Sequence, residues 1–103
     1  MNKFAVSVKF TAQEGKCDEL AQILLEAAEM TKDVEDCELY IVHLAENEAD
    51  TIWVNEIWRN EEAHAASLTL ESTITMIQRA KPLIAGVEQT RLIPMGGQGF
   101  IKQ

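Results

Sequence analysis

The sequence predicts an α+β domain of the ferredoxin-like class, with element order β-α-β-β-α-β and a four-stranded antiparallel sheet. Three observations carry that expectation: a segment at the start with large apolar residues at every second position, an apolar stripe of helical spacing directly after it, and two β-rich segments joined by a short acidic turn. A length of 103 residues suits one domain spanning 1–103, because a second core would leave each half too small to bury enough surface.

Phe4, Val6, Val8 and Phe10 alternate with Ala5, Ser7 and Lys9, which predicts a strand with one apolar face. Glu14-Gly15 breaks the pattern. Leu20, Ile23, Leu24, Ala27 and Ala28 then recur every three or four residues, predicting a helix from about Lys16 to Lys32. The segment Cys37 to Ala45 is rich in β-branched and aromatic residues and apolar on both faces, so it reads as a strand buried on two sides. Asn47 to Asp50 supplies a polar turn, and Thr51 to Trp58 returns as its hairpin partner, with Ile52, Val54 and Trp58 on one face and Trp53, Asn55 and Ile57 on the other.

Asn60 is a good helix cap, and Glu61 and Glu62 favour the positive end of a helix dipole, so a second helical region starts there. Ser72 is its expected interruption, Pro82 its end and Gly86 its closure. Val87 to Met95 is the expected last strand, and the residues from about 96 to Gln103 a terminal arm. Helices covering one face of such a sheet leave the other to water, yet both faces of the central hairpin are apolar. A second copy of the chain is the simplest cover, which predicts a homodimer.

Composition excludes several classes. A formal net charge of −8, with 17 acidic against 9 scattered basic residues, repels nucleic acid and anionic lipid. No apolar run approaches the roughly 20 residues of a membrane span, and the first ten residues lack a signal-like apolar core, so the expected location is the cytoplasm. Cys17 and Cys37 fit no CxxC spacing, and His43 and His64 form no HxxxH or HExxH pair, so no metal is expected.

Four short motifs in order resemble the antibiotic biosynthesis monooxygenase family: Asn55-Glu56-Ile57-Trp58, Glu62-Ala63, Pro82-Leu83-Ile84-Ala85-Gly86 and Pro94-Met95-Gly96-Gly97. The resemblance runs over nearly the whole chain. It implies a dimeric α+β barrel with a small pocket between sheet and helices in each subunit. It further implies oxygenation of quinols or polycyclic phenols by molecular oxygen without a cofactor, the reduced aromatic itself supplying the electrons once it loses a proton. Family members often carry a histidine on the second helix where this chain has Ser67. The heme-degrading branch uses an Asn, a Trp and a His where Ser7 or Val8, Ser67 and roughly Ile77 stand here, which disfavours heme. A branch resembling isomerases of phosphorylated sugars keeps histidines on the same helix and is disfavoured equally.

Five residues are candidates for such a pocket. His64 has the ordinary pKa, about 6.5, for taking a phenolic proton near neutrality, or is a plain surface residue between alanines. Asn55, a mid-strand amide, suits oxyanion stabilisation or pairing across a dimer contact. Trp58 and Tyr40 can stack on an aromatic substrate or fill the core. His43 is either a rival base and substrate contact or a hydrogen-bonded group at the sheet boundary. Glu56 is expected to be an ion-pair partner of Arg59 or Arg91. The alternative function is a non-catalytic dimer that binds a small ligand or serves as a stress-linked accessory, motivated by Ser67.

Overall fold

The structure is a computed structural model that describes residues 3–98. Strand β1 (Phe4–Ala12), helix α1 (Cys17–Thr31), strands β2 (Cys37–Leu44) and β3 (Thr51–Trp58), helices α2 (Glu61–Ser67) and α3 (Glu71–Ala80) and strand β4 (Ile84–Leu92) follow in order. The strands form one antiparallel sheet in the order β2-β3-β1-β4, the ferredoxin-like arrangement expected. No helix among the described residues is long and apolar enough to cross a membrane. The expected arm falls largely on 99–103, outside the described residues, while 96–98 have no regular structure.

Register fixes which side chains share a face. Val6 pairs with Glu56, Val8 with Val54 and Phe10 with Ile52, while Tyr40 lies opposite Glu56 and Gln89 opposite Val8. Because side chains alternate along a strand, all of these point toward the helices. The core fills the central part of that face. Val6, Ile52, Val54 and Trp58 are buried against Leu20, Ile23, Leu24 and Ala27, the stripe that drives α1 onto the sheet.

The opposite face presents Leu39, Ile41, Trp53 and Ile57, with Ile41 44% exposed, around a polar centre. There Asn55 Nδ2 donates to Ser7 Oγ at 3.2 Å, and Lys9 Nζ lies 5.7 Å from the centre of the Trp53 ring.

The second half departs from expectation in three places. The second helical region divides at Leu68–Leu70, before Ser72, because Ser67 Oγ donates to the His64 carbonyl and Thr69 Oγ1 to the Ala66 carbonyl, both competing with backbone pairing. Beyond α3, Pro82 sits in a tight turn, Lys81–Leu83. The last strand therefore starts at Ile84, three residues earlier than expected, and Gly86 lies inside it against Thr11. The third departure concerns Glu56, which pairs with neither arginine: Arg59 pairs with Asp36 and Arg91 with Glu61. Its strand phase, shared with Val54 and Trp58, turns it inward, away from Arg59; Arg91 lies on the same face of the sheet but is held by Glu61.

Candidate functional site

The sheet and helices do not meet everywhere. Helix α2 is short and contributes no fully buried residue, and α3 contributes only Ala80, so the space above β1 and the ends of β2 and β3 remains open. The result is a cavity of about 530 Å³. Its floor is Val6, Val8 and Phe10, its roof Leu24, Ala27 and Met30 with Met76 and Ile77, and these give it a predominantly apolar lining.

Polar side chains line this space as well, Lys81 and Gln89 among them, and one group of them surrounds Glu56. Tyr40 on β2, Glu56 and Trp58 on β3, and His64 and Ser67 on α2 all reach the cavity. Asn60 places α2 there, since its Oδ1 accepts from the Ala63 amide at 2.7 Å and fixes the first turn. His64 then projects onto the sheet. Its ring stacks on Phe4 at 4.5 Å between centroids and meets Trp58 edge-on at 5.6 Å. Glu56 Oε1 accepts the Trp58 indole N–H at 2.9 Å and lies 3.9 Å from His64 Nε2, too far for a direct hydrogen bond.

Burial governs the electrostatics. Desolvation lowers the pKa of His64, Arg91 lowers it further and Glu61 opposes. Near neutrality the imidazole is therefore uncharged and able to accept a proton. Desolvation raises the pKa of Glu56, and the single indole hydrogen bond only partly offsets it. The Tyr40 hydroxyl is pushed above the usual phenol range by burial, then by the Glu56 charge, so it stays protonated and able to donate.

Among the five candidates, the cavity brings together His64, Trp58 and Tyr40. Asn55 and His43 lie on the sheet face turned away from it: Asn55 is tied to Ser7, and His43 is exposed opposite Trp53. Glu56, expected as an ion-pair partner, is instead a central member of the polar group. Its signal was in the sequence, since it occupies the same alternating phase as Ile52, Val54 and Trp58. Ser67, which stands where the resemblance implied a histidine, lines the same space.

A four-stranded antiparallel sheet with helices on one face and a mainly apolar cavity between them defines a ferredoxin-like α+β domain. The family model for antibiotic biosynthesis monooxygenase matches residues 3–78, and the chain belongs to that family. Among solved structures, it is 34% identical to a candidate antibiotic biosynthesis monooxygenase from Chloroflexus aurantiacus, covering 95% of this chain and 98% of that one at a TM-score of 0.87. A candidate of the same kind from Deinococcus radiodurans is 20% identical, over 96% and 99% of the two chains, with a TM-score of 0.81. Another from Bacteroides thetaiotaomicron is 12% identical, over 98% and 97%, with a TM-score of 0.87. At those identities the last two show the shared fold alone. No match was found among curated proteins.

The raised pKa of Glu56 has a consequence for stability. A group that binds its proton more tightly folded than unfolded contributes stability fully present below its unfolded pKa and lost as pH rises through its folded pKa. Glu56→Gln, which cannot ionise, is therefore expected to be more stable than the parent at pH 7, with the gain shrinking as pH falls to about 4. Urea unfolding at the two pH values measures this, and a variant less stable at pH 7 would refute it.

Proposed function

We propose that this protein is a cofactor-independent monooxygenase of small quinol-like or polyphenolic aromatics, acting as a homodimer in the cytoplasm. One observation carries the reading: a mainly apolar cavity is lined by an uncharged, half-buried imidazole that packs against an indole, with a buried phenol lining the same space. The apolar walls suit a planar aromatic, and the polar group around Glu56 suits its hydroxyl. His64 accepts the hydroxyl proton, Trp58 and Tyr40 border the ring, and the apolar walls keep water from the electron-rich anion.

The anion then reduces dioxygen directly. For a hydroquinone unit the balance is hydroquinone plus O2 giving hydroxyquinone plus water. The substrate loses four electrons, one oxygen atom enters the ring, and the other leaves in water with two substrate hydrogens. Membership of the antibiotic biosynthesis monooxygenase family supports this reading.

The dimer rests on the sheet face turned from the helices. Leu39, Ile41, Trp53 and Ile57 form an apolar surface there that a second copy would cover, with the Ser7–Asn55 pair at its centre. Sedimentation at micromolar concentration is expected to give dimers; folded single chains would refute this part.

Adding a reduced quinol to metal-free protein is expected to consume oxygen, and His64→Ala to slow that consumption by about 100-fold or more. An oxygen electrode with a panel of quinols and polyphenols makes the measurement. Ligand-induced thermal stabilisation without product from any member would favour the non-catalytic binder to which Ser67 points.

A further inference from the structure

Glu56 is the least expected side chain in the cavity. Its strand phase forces a carboxyl onto the apolar side of the sheet, where its side chain is only 14% exposed. Among the described residues no lysine or arginine pairs with it, and its one hydrogen bond comes from the Trp58 indole to Oε1. A structural acid in such a position costs stability unless a cation compensates it. The nearest group that can become a cation is His64, with 3.9 Å between Nε2 and Oε1.

That gap is itself informative. It is too long for the two groups to bond each other and too short for an atom to stand in line between them. A hydroxyl oxygen set to one side, about 2.8 Å from each, fits with an angle of about 90° at the oxygen. The space on that side is the cavity, since both residues line it. The indole hydrogen bond and the stacking of the imidazole on Phe4 hold the two atoms in place before anything enters.

We propose that Glu56 and His64 accept the substrate proton as one unit, with the aromatic hydroxyl held between Glu56 Oε1 and His64 Nε2. This rests on the oxygenase reading above and adds to it a second proton acceptor. The O–H bond of the substrate breaks, its electron pair stays on the phenolate oxygen, and the proton passes to the pair. Whichever member takes it, the other remains a neighbour of opposite or neutral charge. When His64 holds the proton, the Glu56 carboxylate neutralises it; when Glu56 holds it, a neutral imidazole N–H can donate to the phenolate. Net charge in the cavity is the same before and after transfer, so neither state leaves an additional uncompensated charge in a low-dielectric space.

Other charged and titratable groups bear on the pair from every side. Arg91 of β4 and Glu61, at the start of α2, act on His64 with opposite signs and hold each other. Tyr40 of β2 and Cys37 at the same strand's start both feel the Glu56 charge. None is placed to substitute for either member, because Arg91 and Glu61 are exposed, and Tyr40 and Cys37 are held protonated by burial.

The test uses Glu56→Gln, which keeps the shape and removes the charge. Nuclear magnetic resonance titration of the His64 ring in ligand-free protein is expected to show its midpoint falling by about 1 pH unit or more in the variant, as for an imidazole losing an opposite charge at this distance. With a quinol that the parent oxidises, kcat is expected to fall about 100-fold or more while KM changes by only a few fold. An unmoved His64 midpoint overturns the pair, and so does an unchanged kcat. If the parent oxidises no quinol at all, the oxygenase reading falls, while the titration still decides whether the two groups are electrostatically coupled.

Discussion

The burial of one carboxyl group on an otherwise apolar sheet face is the constraint on which this molecule turns. Glu56 cannot leave that face without a one-residue shift of β3, and such a shift would expose Ile52, Val54 and Trp58 together. The sheet register that secures the core thus also secures the acid. Its desolvation is partly offset by the Trp58 indole, which donates to it, and the His64 imidazole stands 3.9 Å away. A buried carboxyl of this kind weakens the fold at neutral pH, and stability is commonly given up at functional places.

The rest of the architecture serves to bring an imidazole to that carboxyl. Helix α1 closes the central core and leaves one end of the sheet uncovered. The Asn60 cap starts α2 at the edge of β3 and points His64 back across Phe4 and Trp58. The break after Ser67 keeps α2 short, α3 follows from Glu71 against α1, and residues of both helices line the cavity.

Much of the fold was legible in the residues. Alternation in Phe4–Phe10 and Thr51–Trp58 and the α1 stripe are periodic signals that side-chain burial enforces, and they placed these elements to within a residue or two. The helix break and the early start of β4 were not legible, because hydroxyls competing for backbone carbonyls and a proline-containing turn act through local geometry that periodicity does not register. For the site, His64, Trp58 and Tyr40 converge although they are far apart in sequence. Asn55 and His43 fall on the opposite face, Asn55 by the parity that sets it beside Trp53 and Ile57, and His43 by its register opposite Trp53. Glu56 was misread because a charged residue suggests a salt bridge, whereas its place in the apolar phase of β3 was the stronger signal.

The account stands most directly on where an aromatic hydroxyl sits in the cavity. A crystal structure with a bound, slowly oxidised phenol measures that position. The account predicts the ring between the apolar walls and the hydroxyl oxygen within hydrogen-bond distance of both Glu56 and His64. A hydroxyl directed toward the Lys81 end, or a ring bound on the Asn55 face of the sheet, would contradict it.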